Sequence, residues 1–336
     1  MRATNRGCMT TILDVAAKAE VGVGTVSRVL NNSPNVSDAT RAKVSAVIAE
    51  LDYRPSSVAR ALSSGKTSSL PIFATNITVP SVTQRIRGIL EVVDEVHEVV
   101  VCQVRDPGQR FEFVDRHAIR QPAFGVITIS VDLEPQELES FRSSGVPVVS
   151  VDHRIDGVPS VVIDDVTAAK QAVGHLIDLG HTRIGFLGDA GTGDYRSRAS
   201  EARRDGYRLA LREAGIRLVE ENEATVGDGK KAAAAALLSQ ELPPTAVIAD
   251  ADSTALCVLA VARRMGLRVP IDLSVVGFDD IWAADAAGLT TVAQPLEKSG
   301  RLGAQTLFSV ARGEEVPMVT TLQTKLIERE TTSPPA

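Results

Sequence analysis

Residues 11–31 read TILDVAAKAEVGVGTVSRVLN, and their spacing decides the N-terminal fold. Thr11 is an N-cap, with Asp14 three residues on as its capping-box partner. Ile12, Val15, Ala16 and Ala19 then share one helical face. After Glu20-Val21-Gly22, a second short helix carries Val26, Val29 and Leu30 and stops at the turn-forming Asn31-Asn32-Ser33-Pro34. Two short helices joined by a tight turn form the unit that lays its second helix in the major groove of DNA. Ser37 caps a third helix with Val44, Val47, Ile48 and Leu51 as its stripe, broken at Tyr53-Arg54-Pro55. Residues 56–62 are helix-compatible but too short and polar to be stable alone. Ser63-Ser64-Gly65-Lys66 reads as a flexible linker. The division expected is therefore a DNA-binding head over 1–62, a linker over 63–66 and a body over 67–336.

Charge separates the same parts. Residues 1–66 hold nine Lys/Arg against five acids, while the rest holds 27 against 37, within a net charge of −6 over 336 residues. A basic head on an acidic body fits a polyanion-binding module fused to something else. At 44% hydrophobic and 23% charged the chain has ordinary globular composition, which excludes a largely disordered protein. Aromatics are only 4%, so Val, Leu, Ile and Ala must build the core. No uncharged apolar run nears the ~20 residues of a membrane helix, and the first 30 residues leave no room for a signal core. Cys8, Cys102 and Cys257 lie far apart without CxxC pairs, predicting a reduced cytoplasmic protein with no zinc finger. No metal site or cofactor is expected.

Beyond the linker the period changes. Strands are predicted at 99–104, 124–130, 146–151, 183–188, 245–249 and 274–278. Helices are predicted at 82–96, 135–143, 166–179, 199–214, 230–239 and 252–265. This alternation predicts βαβ units around parallel sheets, too long for one compact sheet and so split into two lobes. The strand at 146–151, followed by Asp152-His153, is the expected crossing point between lobes. Ligands of such folds bind beyond the carboxyl ends of the strands, here between the lobes. No 20–50-residue repeat recurs, which rules out a solenoid. Enzyme chemistry finds little support. The run 188–194, GDAGTGD, lacks the lysine of a phosphate loop. Asp279 and Asp280 point apart on one turn, and five scattered His form no nucleophile–base set.

Several stretches together resemble the lactose/galactose repressor (LacI-type) family of bacterial transcription regulators. They are Asp14-Val15-Ala16, Thr25 to Asn31, Val36 to Arg41, Leu51 to Pro55 and Val58-Ala59-Arg60-Ala61-Leu62. Downstream the likeness returns at Gly174-His175-Leu176, Gly206-Tyr207, Ser274 to Asp280 and Leu289-Thr290-Thr291-Val292, spanning nearly the whole chain. The resemblance implies a helix-turn-helix head, a hinge helix and a two-lobed body like periplasmic sugar-binding proteins. It implies a homodimer on a palindromic double-stranded operator, released by a small-molecule effector, most readily a sugar. An activator, or a regulator answering a nucleoside or other non-sugar effector, is the alternative.

Residue by residue, Val23 and Gly24 match positions that face base edges, and Thr25 lies near the DNA backbone. Arg28, one turn on, either pairs its planar fork with guanine or contacts phosphate only. Thr11, Ser27, Asn31, Ser37 and Thr40 join the DNA-facing set; Ser37 is a plain N-cap, a phosphate contact, or both. In the hinge, Val58, Arg60 and Leu62 match, with Leu62 the residue wedged into the central base step or else an ordinary linker contact. The chain departs from the family at Glu20, where a turn glycine is usual, and at Gly22, where a serine cap is usual. In the cleft, Asp152, Arg203 and Asp279 match effector positions; the alternatives are strand-end turn carboxylates and a surface charge. Asp252 joins them, following Ala251 where many members carry an effector-binding Asn. Trp282 either stacks on a sugar face or is a core or rim residue, and Asp280 is expected to cap the helix that follows.

Overall fold

The computed structural model describes residues 11–30, 35–51, 53, 68–189, 198–218, 223–225 and 229–336. Asn31, Val58, Arg60, Leu62 and the linker lie outside them. The chain divides into two compact units meeting between Ser68 and Ser69, and each is considered by itself.

The first unit is three helices, α1 (Ile12–Lys18), α2 (Val23–Leu30) and α3 (Asp38–Glu50). Thr11 and Asp14 form the capping box, each side chain accepting from the other's backbone. Glu20 adopts φ +52, a left-handed conformation that disfavours any side chain bearing Cβ. That conformation closes α1: the amide of Glu20 donates to Ala17 O at 3.2 Å and that of Val21 to Ala16 O at 3.0 Å. This is the Schellman pattern, with Glu20 where glycine is preferred. Val15, Ala16, Ala19, Val26, Val29, Val44, Val47 and Tyr53 make one small core.

The second unit holds two six-stranded sheets. The first runs β11-β5-β4-β3-β1-β2, the second β12-β10-β9-β8-β6-β7. In chain order the strands are β1 (Ser69–Ala74), β2 (Glu98–Gln103), β3 (Val126–Ile129), β4 (Val148–Val151), β5 (Ser160–Ile163), β6 (Ile184–Gly188), β7 (Glu223–Thr225), β8 (Ala246–Ala249), β9 (Ser274–Asp279), β10 (Thr290–Ala293), β11 (Val319–Leu322) and β12 (Lys325–Ile327). All pair in parallel except β12, which runs antiparallel to β10. Both sheet faces are covered, so alternate residues of one strand serve different cores. In β8, Val247 and Ala249 enter one cluster, Ala246 and Ile248 the other.

The helices are α4 (Pro80–Leu90), α5 (Pro107–Val114), α6 (Pro135–Ser143), α7 (Asp165–Asp178), α8 (Arg198–Glu213), α9 (Lys230–Leu238), α10 (Asp252–Arg264), α11 (Trp282–Ala286) and α12 (Leu296–Ala311), with a π-helical turn at Asp115–Arg120. The chain does not cross at Asp152, where the sequence placed the crossing: β4 continues to β5 in the same sheet. It crosses after β5, returns after β10 so that α12 packs beneath the first sheet, and crosses again between β11 and β12. The reason is pairing. β5 finds a parallel neighbour in β4, which leaves residues 152–159 as an ordinary loop within one lobe. Among the described residues, no helix is long and apolar enough to cross a membrane.

Candidate functional site

Two surfaces gather polar side chains outside the hydrophobic cores. The first is on α2. Val26 and Val29 face the core, while Val23, Gly24 and Arg28 are exposed and Thr25 and Ser27 half-buried. The i, i+4 spacing puts Gly24 and Arg28 on one outer stripe. Gly22 accepts from the amide of Thr25 at 2.8 Å as a cap made by backbone alone. Ser37 is the N-cap of α3: its Oγ accepts from Thr40 N at 3.3 Å and lies 2.8 Å from Thr40 Oγ1.

The second surface is a cleft of about 340 Å³ between the two lobes of the second unit. The carboxyl ends of β3, β4, β8, β9 and β10 supply Ser130, Asp152, Asp250, Asp279 and Gln294. The first turns of α4, α9 and α10 supply Ser81, Lys230 and Ser253, and α8 adds Arg198 and Arg203. Ser130 (φ +55), Asp152 (φ +88) and Asp279 (φ +118) all hold left-handed backbone here, as does the neighbouring Asp280. Strained residues of this kind persist where surrounding structure over-determines them, and they gather at ligand sites.

A chain of polar contacts crosses the cleft floor. Ser130 Oγ donates to one oxygen of Asp152, and Arg85 Nη2 to the other. The same Arg85 nitrogen donates to Gln294 Oε1 at 3.1 Å, and Gln294 Nε2 to Asp279 Oδ1 at 2.6 Å. Arg203 Nη1 stands 3.9 Å from Asp279, its Nε donates to Asp165 at 2.7 Å, and its guanidinium lies 3.7 Å over the Phe278 ring. Nearer the opening, Asp132 accepts from Arg198 at 2.5 Å and lies 2.8 Å from His153 Nε2.

The floor thus sets three carboxylates against two guanidinium groups. Burial pushes the Asp279 carboxyl up to about 7, against the pull of Arg203 and with the charge of Asp252 adding to the rise. Burial raises Asp165 as well. At Asp152 burial works upward too, but Arg85 and Ser130 outweigh it and hold the carboxyl below its ordinary range. One surplus carboxylate beside fixed guanidinium donors suits a ligand that offers hydroxyl hydrogens and accepts in return. Among the described residues, no group of His, Cys, Asp and Glu could hold a metal ion.

Of the residues expected in the cleft, Asp152, Arg203 and Asp279 line it, and Arg203 is buried, not a surface charge. Asp252 and Trp282 do not line it. Asp252 is fully buried, its oxygens taken by Ile281 N at 2.8 Å and Thr291 Oγ1 at 2.6 Å, in space left by Gly277. Burial pushes its carboxyl up to about 6. Trp282 opens α11 and is 76% exposed. Asp280 does not cap α11, whose N-cap is Ile281; it pairs with Arg329 at 2.8 Å. Sequence reading missed Arg85, Ser130 and Gln294. The faint signal for Arg85 was a lone Arg on the helix face that also carries Val82 and Ile89, both buried.

Known proteins bear on both surfaces. Residues 11–56 match the family model described as bacterial regulatory proteins, lacI family, and residues 173–332 the periplasmic binding protein-like domain. The HTH-type transcriptional regulator DegA of Bacillus subtilis (strain 168) is 33% identical over 341 residues, covering 97% of this chain and 98% of that protein. A solved complex of the transcriptional regulator CelR with cellobiose superposes with TM-score 0.70 at 32% identity, over 96% of this chain and 99% of that one. The lac repressor dimer bound to operator and the anti-inducer ONPF superposes with TM-score 0.83 at 27% identity, over 97% and 100%. An exposed recognition-type helix, a strained polar cleft and full-length likeness to DegA have one common explanation: the chain belongs to the LacI family of bacterial regulatory proteins.

Proposed function

We propose that this protein represses carbohydrate-utilisation genes, binding a palindromic operator as a homodimer and leaving it when a small polar effector occupies the cleft. The carrying observation is the floor network in which Asp152, Arg85, Gln294, Asp279 and Arg203 join the two lobes. A ligand that bonds Asp279 and Arg203 on one side and Asp152 on the other rewards closure of the lobes. The lac repressor complex with operator and anti-inducer supports the DNA partner and the dimer, and the CelR complex with cellobiose supports a sugar or sugar derivative. Among the described residues no Phe, Tyr or Trp lines the cleft, which favours gripping by hydrogen bonds over stacking and so a sugar over a nucleoside. On this reading the protein acts in the cytoplasm and is no enzyme. Residues 1–62 hold operator through Val23, Gly24, Arg28 and a hinge ending at Leu62, 63–66 link, and 67–336 bind effector and dimerise.

The test is a thermal-shift screen of the full chain against monosaccharides, disaccharides and nucleosides, followed by operator binding. A true effector at 100 times its Kd stabilises by about 2.7 kcal/mol. Asp279→Asn abolishes that shift and the release of operator, while leaving operator affinity intact. A folded Asp279→Asn protein that still releases operator on the same sugar overturns the assignment.

A further inference from the structure

Arg85 has no part in the resemblance that identified the cleft, yet it bonds both Asp152 and Gln294 on the floor. It sits mid-helix on α4 with only 3% of its surface exposed. One nitrogen serves two acceptors on different parts of the fold. Asp152 ends β4 of the first sheet, and Gln294 lies on the segment that leaves β10 of the second sheet to become α12. Its Nε is buried without a hydrogen-bond partner.

The helices behind it cannot slide independently. A Cβ on Gly88 would strike the carbonyl of Glu297, and one on Gly300 the carbonyl of Arg85 itself. α4 and α12 therefore meet backbone to backbone, and α12 starts at Leu296, two residues beyond Gln294. Two ion pairs flank the seam, Arg301 with Glu91 at 2.5 Å and Arg87 with Glu297 at 3.3 Å.

We propose that Arg85 is the positioning residue that ties the cleft floor to the α4–α12 pair, so that a ligand bonding Asp152 is felt at the start of α12. The proposal rests on the reading of this cleft as the effector site. Both Asp152 oxygens are already engaged, so a ligand reaching the one that faces Arg85 must share with Arg85 or displace it. Either event alters the bond to Gln294 and, through it, the first turn of α12. Arginine suits the task because its side chain is one bond longer than that of lysine and so carries Nη2 to both acceptors, where the shorter lysine ammonium stays with the carboxylate alone.

The test uses hydrogen exchange on the full chain and needs no effector, so it fails or succeeds separately from the effector assignment. In Arg85→Lys the charge facing Asp152 is kept and the bridge is lost. Peptides around Ser130 and Asp152 keep wild-type exchange within about twofold, while the first turns of α12 exchange roughly tenfold faster. In Arg85→Met both regions loosen. In Arg85→Met/Asp152→Asn the unpaired buried charge is gone, so the floor recovers and the start of α12 does not. Wild-type exchange at the start of α12 in Arg85→Lys, or its recovery in the double variant, reduces Arg85 to a counter-charge and overturns the proposal. If Arg85→Met fails to fold, Arg85→Lys alone decides.

Discussion

Glu20 sits where its backbone is left-handed and glycine would rest without strain. The cost is about 1 kcal/mol. Its ion pair with Lys43 at 3.1 Å is exposed on both sides, and such pairs return little. Glu20→Gly should therefore stabilise the head by roughly 0.5–1 kcal/mol. Slower amide exchange in α1 and α2 of the full chain would register it, and faster exchange would mean the Lys43 pair dominates. Asp279 carries a second prediction at this scale. Its carboxyl rises to about 7 in the folded protein, well above its unfolded value, so the folded state holds the extra proton. Stability from this group is highest at acid pH and declines as pH climbs from about 4 to 7. Asp279→Asn removes the decline and gains at most about 4 kcal/mol near pH 8, read as melting temperature against pH. An unchanged pH profile would place the titration elsewhere. Asp252 shows why such residues mislead in a bare sequence. A carboxylate at a helix start looks alike whether it faces a cleft or, as here, is sealed beneath two strands.

The elements with strong local signals were legible. The Thr11–Asp14 capping box, the Ser37 cap and the stripe of α3 need only near neighbours, and α6 matches its expected bounds. Most of what escaped was short or set by distant partners, though the six-residue β1 and the eight-residue α5 also went unmarked. β5, β10, β11 and β12 are three or four residues each and become strands only because a neighbour fills the sheet. α12 carries Gly300 and Gly303, which weaken a helix by propensity yet allow α4 and β4 to approach. Gly300→Ala tests this trade. Alanine is the better helix former, but its methyl would strike the Arg85 carbonyl, so stability should fall by about 1–3 kcal/mol. Gly24→Ala on the open face of α2 meets nothing within 4 Å and should not destabilise. Chemical denaturation of both variants gives the comparison, and equal stability would show that the helix pair yields.

At the scale of the molecule, the basic head and acidic body divide labour between polyanion and polar small molecule. The hinge over 56–62 is the proposed route between them, and Leu62 its wedge. Leu62→Ala should lower specific operator affinity by a few kcal/mol, because an inserted apolar side chain supports the bent duplex. Non-specific binding, which rests on Lys and Arg, should barely change. Gel mobility of a palindromic operator in both complexes measures the bend, and equal bending would leave the hinge a tether. The two-lobed architecture was visible from alternation alone, but the crossing was misplaced. A strand followed by Asp-His looks like an exit, and only pairing with β5 shows that the chain stays.

That winding sets the order in which the protein can be made. The head's three helices need nothing beyond Tyr53 for their core, so a nascent chain can complete them early. The first sheet must wait: β5 ends at Ile163, but its outer neighbour begins at Val319 and its covering helix at Leu296. At ~5–20 residues per second, the ribosome holds that sheet open for about 8–30 s. Meanwhile five strands of the second sheet emerge, and its sixth, β12, follows only after β11. Neither lobe can mature first and alone, so a translational pause before Leu296 would expose Ile127, Ile129 and Val149 to chaperones.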